Sequence, residues 1–186
     1  MARTKTISDE AVLAVAATVM FAKGPSDFTL ADVAKAAGIA PATLVQRFGG
    51  KHGLVVAAIA QDNRTFECFL AELPREVGAE AVIGVFARMF PDVGVSADSF
   101  ADQLLWLRQD MRDPDLNRLA RERFETLRAA VAARMPPLSI PAADAAVLVE
   151  AQWQGVLVQW GIFRRGVLAQ FVTDSLRAWF DLVTRR

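Results

Sequence analysis

The 186-residue sequence has little of the chemistry that enzymes and metal sites require. It contains one cysteine, Cys68, and one histidine, His52. A single cysteine excludes an internal disulfide, and the apolar neighbours of Cys68 predict a small buried side chain. No group of His, Cys and carboxylates has the spacing of a zinc or copper site, and no glycine-rich phosphate loop follows a strand. We therefore expect no metal, no cofactor and no catalytic residue.

Long uncharged apolar runs are also missing. Hydrophobic residues make up 53% of the chain, but charged residues and glutamine interrupt each run before it reaches the roughly 20 residues of a membrane helix. The charged N-terminal residues precede no apolar segment of the kind found in a signal peptide. The sequence therefore predicts a cytoplasmic protein without a membrane segment.

Lysine is scarce and confined to one end of the chain. The formal net charge is zero, which by itself does not favour a nucleic-acid partner. Up to Gly53, however, six basic residues stand against four acidic ones, and all the lysines lie in that segment. The segment therefore has the small excess of cations that suits phosphate binding.

A capped helix and a tight turn are predicted between Thr29 and Gly38. The Thr29 hydroxyl can accept from an orphan backbone N–H at a helix start, and Asp32 completes a capping box. Apolar residues then recur at the spacing of one helical face. Gly38 follows, where a residue without a Cβ can turn left-handed and end the helix.

A second short helix is predicted to begin at Pro41, because the missing N–H of proline is not needed in a first turn. Leu44 and Phe48 form its apolar ridge, so the remaining side chains face outward. Short side chains let a backbone approach DNA, glutamine can pair with adenine, and arginine can reach guanine or a phosphate. The pattern favours a helix-turn-helix; a three-helix corner with a merely solvated outer face is the alternative.

The sequence resembles the DNA-binding segment of the TetR family of bacterial one-component repressors. The resemblance lies in Thr29-Leu-Ala-Asp-Val-Ala, Ala37-Gly-Ile, Thr43-Leu44, Phe48, Lys51 and Gly53-Leu54. It covers the first third of the chain, and the remainder is similar to the family in length and helical character. The family usually has an aromatic residue at the position of Val45 and frequently histidine or tyrosine at that of Gln46, so these two positions depart from it.

The predicted DNA-contacting residues lie in an N-terminal basic arm, in the two short helices and at the start of the next helix. Lys51 lies at that helix start, where the helix dipole also favours a phosphate. A solvated terminus is the alternative for the basic arm. The predicted set is Arg3, Lys5, Thr29, Pro41, Ala42, Thr43, Val45, Gln46, Arg47 and Lys51.

Proline and glycine mark off further helices after residue 53. They predict helices over residues 78–90, 97–112, 114–134, 142–163 and 167–184. The fold expected is all-α with about nine helices. We predict a helix-turn-helix DNA-binding domain over residues 1–53 and a helical bundle for ligand binding and dimerisation over residues 54–186.

The helix predicted over residues 142–163 is apolar on two sides and therefore needs two partners. One stripe consists of Val147, Leu148, Ala151, Gly155, Val158 and Ile162, and the other of Val149, Trp153, Val156, Trp160 and Phe163. We assign one stripe to the core and the other to an isologous dimer interface. Complete burial within one subunit is the alternative. The predicted interface residues are Trp153, Val156, Trp160, Phe163, Phe171, Ser175 and Trp179.

A small-molecule site is expected among the central helices, where helical bundles enclose cavities. Large apolar side chains with neutral polar neighbours suggest an apolar or aromatic effector. Plain core filling is the alternative for the same side chains. The candidate ligand-binding residues are Phe86, Met89, Phe90, Gln103, Trp106, Gln109, Met111, Phe124, Gln152 and Trp153.

The family resemblance implies a repressor. Two subunits would bind a palindromic DNA operator as a homodimer, with their recognition helices in successive major grooves. A small apolar or aromatic molecule would then release the DNA. The alternative function is a non-catalytic helical carrier or sensor of hydrophobic molecules that binds no operator.

Overall fold

Nine α-helices and no strand make up the residues that the structure describes. The computed structural model describes residues 7–89 and 97–184, so Arg3, Lys5 and Phe90 of the predicted sites lie outside it. The all-α prediction is confirmed. The helices are α1 (Asp9–Asp27), α2 (Leu30–Ala37), α3 (Pro41–Phe48), α4 (Lys51–Glu72), α5 (Ala79–Arg88), α6 (Ala97–Arg112), α7 (Pro114–Ala132), α8 (Ala142–Phe163) and α9 (Leu168–Thr184).

Apolarity is distributed over these helices rather than concentrated in one of them. Within the two described ranges, no helix is both long and apolar enough to cross a membrane.

Packing divides the chain into two compact units, which are described separately. Unit 1 comprises the described residues up to Phe66 together with Asp102–Glu122. Unit 2 comprises Glu67–Ala101 and the described residues from Arg123 onward. Neither unit is one continuous segment, and α4, α6 and α7 each contribute residues to both. The domain boundary at residue 53 stays a prediction.

The core of unit 1 forms around α1. Ser8 caps this helix by accepting a hydrogen bond from Ala11 N at 3.2 Å, and Met20 lies on its buried face with no exposed surface. The Trp106 ring stacks on Phe28 with centroids 6.3 Å apart. Trp106 was predicted to bind ligand, but its side chain is part of this core.

The core of unit 2 combines α5, α8 and α9. Phe86 of α5 is completely buried, and its ring centroid lies 5.2 Å from that of Trp153 on α8. Leu176 and Phe180 from α9 are also buried. One carboxylate is buried among these helices: Glu150, 3% exposed, accepts from Arg128 Nε at 2.6 Å.

The two apolar stripes of α8 lie in different environments. Trp153, Val156 and Trp160 are 8%, 3% and 5% exposed, so this stripe belongs to the core of unit 2. The other stripe is open to solvent, with Leu148 52% exposed and Ile162 69% exposed. The prediction that these three residues lie in a dimer interface is therefore corrected, because almost none of their surface is available to a partner.

The remaining predicted interface residues keep surface of their own. Phe163 is 60% exposed, while Phe171, Ser175 and Trp179 are half-buried. These four residues stay predictions for the interface.

Cys68 is exposed, which corrects the prediction that it is buried. Its neighbours Phe66 and Leu70 are buried. A residue two positions from each of them points about 200° around an α-helix, away from the apolar face.

Candidate nucleic-acid interface

The capping box predicted for α2 is present in full. Thr29 Oγ1 accepts from Asp32 N at 3.2 Å, and Asp32 Oδ2 accepts from Thr29 N at 2.8 Å. Lys23 Nζ also lies 2.6 Å from Asp32 Oδ1. The hydrogen bonds from Lys23 and then Thr29 favour the ionised carboxylate and lower the pKa of Asp32 to about 2.

Gly38 makes the turn between α2 and α3, as predicted. Its φ of 67° and ψ of 32° are left-handed. Its N–H donates to Lys35 O at 3.3 Å, and Ile39 N donates to Ala34 O at 3.0 Å. These bonds close the end of α2, so that α3 begins at Pro41 after a short turn.

The outer face of α3 is small and uncharged. Leu44 has no exposed surface and fixes the opposite face in the core of unit 1. Ala42 and Gln46 are exposed, and Val45 is 48% exposed. These three residues follow the spacing i, i+3, i+4 of one helical face. We call Ala42, Val45 and Gln46 the α3 outer face.

Arg47 does not extend outward from α3. Its guanidinium makes an ion pair with Asp9, and its Nη2 donates to Ile7 O at 3.1 Å. It lies 5.8 Å from the centroid of the Phe48 ring, and its side chain is only 20% exposed. The only charged residue of α3 therefore binds the N-terminal end of α1.

The junction between α3 and α4 is tight. The Gly49 N–H closes α3 by donating to Val45 O at 2.8 Å. A Cβ at Gly53 would lie 1.9 Å from Phe48 O, so only glycine fits there. Lys51 begins α4, where its Nζ donates to Pro25 O at 3.1 Å and lies 4.1 Å from the centroid of the Phe28 ring. Lys51 nevertheless remains exposed.

His52 forms a polar cluster with two aspartates of unit 1. Its Nε2 lies 2.9 Å from Asp113 Oδ2 and 3.9 Å from Asp115 Oδ2. Asp113 also caps α7 by accepting from Asp115 N and Leu116 N. The Leu116 N–H, followed by His52, lowers the pKa of Asp113.

The sequence predicts no group of His, Cys and carboxylates with the spacing of a zinc or copper site, but the structure brings these three side chains together. The ligand atoms of His52, Asp113 and Asp115 lie within 4.8 Å of one another. His52 and Asp113 are 61 positions apart in the chain, so no short spacing could reveal the cluster.

The candidate ligand-binding residues are divided between the two units. Phe86 and Trp153 are core residues of unit 2, where Met89, Phe124 and Gln152 are half-buried. Trp106 is in the core of unit 1, where Gln103 is exposed, Gln109 is half-buried and Met111 is 70% exposed. Neither unit contains the set as a whole.

Unit 2 contains a hollow of about 320 Å³ between the end of α4 and α7, lined by none of the described candidates. Its floor is apolar and its rim carries charges. Arg134, 5% exposed, donates there to the carbonyls of Pro74 and Leu73 at 2.8 and 2.9 Å. The lining residues are Glu67, Leu70, Ala71, Arg75, Thr126, Ala130, Ala133 and Arg134.

The partners of Arg47 are not evident from the sequence. Asp9 lies in the first turn of α1, where acidic residues are common, and its contact with Arg47 spans 38 positions. A helix-start acid and an outward-facing arginine are each common, so no local signal links the two.

Known proteins resemble the chain in part of its sequence and in its whole fold. Residues 12–58 match the family model of bacterial regulatory proteins, tetR family. No curated protein matches the chain.

Three solved structures share the fold. A transcriptional regulator from Rhodococcus sp. has a TM-score of 0.78 at 18% identity, covering 95% of this chain and 96% of that one. NemR from E. coli, in its reduced form, has a TM-score of 0.74 at 15% identity, with 95% and 98% covered. A TetR-family member from Streptomyces coelicolor has a TM-score of 0.66 at 20% identity, with 92% and 98% covered.

The capped helix pair, with its exposed second helix in an all-α chain, defines the class of helix-turn-helix transcription regulators. Within that class, residues 12–58 match the N-terminal domain of the tetR family, and the chain shares the fold of a solved TetR-family member.

Proposed function

We propose that the chain is a cytoplasmic repressor, which binds a palindromic operator as a homodimer and is released by a small apolar or aromatic effector. It acts without catalysis. The main support is the α3 outer face, which projects from a helix pair fixed by the capping box and by Gly38. Such a helix can enter a major groove while neighbouring groups contact phosphates.

The predicted DNA contacts differ in how accessible the structure leaves them. Thr29, Pro41 and Lys51 are exposed beside the α3 outer face, and Thr43 is half-buried. The N-terminus of α4 adds backbone N–H groups near Lys51, which favours an anion there. We propose phosphate contacts for Thr29, Thr43 and Lys51.

Operator binding is tested by titrating the purified protein against its own upstream DNA and an unrelated duplex of equal length, at several salt concentrations. The proposal expects preference for the upstream DNA, a steep salt dependence and two subunits per site. Equal, weak binding of both duplexes would overturn it and favour a carrier of hydrophobic molecules.

A matched pair of variants locates the binding surface. Gln46→Glu adds a negative charge to the α3 outer face and should weaken operator binding roughly tenfold or more, because it repels phosphates. Gln103→Glu places the same charge on another exposed residue of unit 1. It should leave binding unchanged. Equal effects of the two substitutions would contradict the assignment of α3 to the DNA.

For the dimer we propose the exposed stripe of α8, which consists of Val147, Leu148, Ala151, Gly155, Val158 and Ile162. Apolar side chains are exposed along this face of the helix, as expected of a surface that a second copy covers.

Sedimentation of charge variants tests this dimer surface. Leu148→Glu places a carboxylate within the proposed interface and should give monomers. Ala129→Glu introduces the same residue at an exposed position of α7 in unit 2 and should leave the dimer intact. A dimeric Leu148→Glu variant would show that the stripe lies outside the interface.

For the effector we propose the hollow of unit 2, because its size falls within the range of small-molecule pockets. Ala130 and Ala133 line the hollow, and their small side chains leave the space open. Ala130→Leu should fill this space and block release of the operator by apolar or aromatic molecules, without changing operator binding. If the variant still releases the operator normally, the effector site lies elsewhere.

A further inference from the structure

We propose that the α3 outer face reads adjacent A·T pairs at the centre of each operator half-site, with Val45 against a thymine methyl group and Gln46 against an adenine. Arg47 is then a positioning residue rather than a reader of guanine. This inference rests on the proposed operator binding and adds the base chemistry that the recognition helix selects.

The side chains that can reach the bases lie on the α3 outer face. Ala42, Val45 and Gln46 share one exposed face of α3, while Leu44 on the opposite face is fully buried. Helix-turn-helix proteins contact base edges with the side chains of the recognition helix that face the groove. The groove would therefore meet a methyl group, an isopropyl group and one carboxamide.

Arg47, the only charged residue of α3, is already paired within the protein. Its guanidinium is paired with Asp9 and Ile7 O and is directed towards the end of α1. To reach a guanine it would have to break both contacts and leave Asp9 without its partner. Arginine and lysine are the usual partners of guanine O6 and N7, so the α3 outer face has no such group.

The side chains of Val45 and Gln46 match the groups of an A·T pair. In the major groove, apolar side chains contact the thymine C5-methyl, and glutamine can pair with N6 and N7 of adenine. Val45 and Gln46 are neighbours in sequence and both exposed, so they would meet adjacent base pairs. Val45 has no polar group with which to bind a phosphate or the edge of a base, so the thymine methyl is the partner that suits its side chain.

The experiment begins with selection of duplexes from a random-sequence library by the purified full-length protein. Selected sites should carry adjacent A·T pairs at the centre of each half-site. If no duplex binds better than random DNA, the proposed function itself fails. If selected half-sites carry a conserved G·C pair at their centre instead, only this inference fails.

Base analogues in the selected duplex then test each contact separately. Uracil in place of the central thymine removes one methyl group, which should weaken binding about fourfold for the unmodified protein. 7-Deazaadenine removes N7 and should weaken binding about fivefold. The uracil effect should vanish in Val45→Ala, and the 7-deazaadenine effect should vanish in Gln46→Ala. An effect that persists in its variant would overturn that contact.

Both variants place alanine at exposed helical positions, so α3 should keep its structure. Each variant should also retain the salt dependence of the unmodified protein, since neither removed side chain contacts a phosphate. A lower salt slope in either variant would contradict base contact.

Arg47→Ala separates positioning from base reading. If Arg47 holds α1 against α3, its loss should weaken binding to all duplexes by the same factor. Base preference and salt slope should both stay unchanged. 7-Deazaguanine at every guanine of the site should have no effect that depends on Arg47. A salt slope reduced by about 1.8, that is about 0.9 for each of the two subunits, would identify a phosphate contact, and a guanine preference lost in Arg47→Ala would identify base reading; either result overturns the assignment.

Discussion

Unit 1 and unit 2 hold their helices together by different means. In unit 1, α2 and α3 are each 8 residues long, shorter than the roughly 12–15 residues that isolated helices need for even marginal stability. Their ends carry a capping box, a left-handed glycine and an N-terminal proline. In unit 2, α8 has 22 residues and no side-chain cap at its start.

This difference indicates which substitutions should destabilise each unit. Unit 1 depends on directional hydrogen bonds at helix ends as well as on its core, because its short helices could not otherwise persist. Unit 2 depends on buried apolar area, because α5 and α8, which like α3 begin without a side-chain cap, are longer than α3 and bury more apolar side chains. Substitutions in the core of unit 2 should therefore cost more than loss of a cap in unit 1.

The largest effect is expected from Trp160→Ala. This residue is 5% exposed, and its indole N–H donates to Gly166 O at 3.1 Å. Its loss should lower the free energy of unfolding by about 3–5 kcal/mol. Val77→Ala, between α4 and α5 of unit 2, removes a 64% exposed side chain outside the proposed interface and should change stability by about 0.5 kcal/mol or less. Urea unfolding at matched protein concentration measures both; equal losses would contradict the burial of Trp160.

A smaller loss is expected from Glu150→Ala. The Glu150 side chain is 4% exposed, but that of its partner Arg128 is 41% exposed and partly solvated. We therefore expect a loss of about 2 kcal/mol, near the lower end for a charged hydrogen bond. Glu72→Ala removes an exposed carboxylate from the last turn of α4 in unit 2 and serves as the control. A similar loss in both variants would show that burial of Glu150 is unimportant.

Loss of the α2 cap should be smaller again. Thr29→Ala removes the hydroxyl that accepts from Asp32 N, and should lower unfolding free energy by about 1 kcal/mol. Thr18→Ala is the matched control, because its hydroxyl only bonds the Ala14 carbonyl within α1. That bond contributes little to helix stability. Thermal unfolding should show a clear difference between the two variants, and equal midpoints would argue against the cap.

The smallest expected effect is the dependence of the same cap on pH in acid. The pKa of Asp32 falls from 3.8 to about 2 on folding, so folding favours the ionised carboxylate. Its stabilising contribution is complete above pH 3.8 and is lost as the pH falls towards about 2. Unfolding midpoints between pH 2 and 5 should decline less steeply for Asp32→Asn than for the unmodified protein. Parallel curves would show that other groups govern acid unfolding.

Features set by neighbouring residues were predictable from the sequence. Thr29, Asp32 and Gly38 act within a few positions of one another, so the cap and the turn follow from the order of residues alone. The bounds of α3 follow in the same way from Pro41 and from the glycines after Phe48.

Features set by distant residues were not predictable. Both stripes of α8 are apolar, and which one is buried depends on α5 and α9, whose packing no single helix encodes. The direction of Arg47 likewise depends on Asp9, which lies on another helix. For the same reason the sequence indicated the second helix of the helix-turn-helix correctly but could not tell which of its side chains are exposed.

The contact between Gly53 and Phe48 restricts how this regulator can evolve. A Cβ at position 53 would lie 1.9 Å from the last carbonyl of α3, and Leu54 N donates to Gly50 O at 3.0 Å in the same turn. The exposed positions of the α3 outer face can therefore accept substitutions that the joint behind it cannot. Under the proposed function, new base preferences would arise at Val45 and Gln46 while Gly53 stays unchanged.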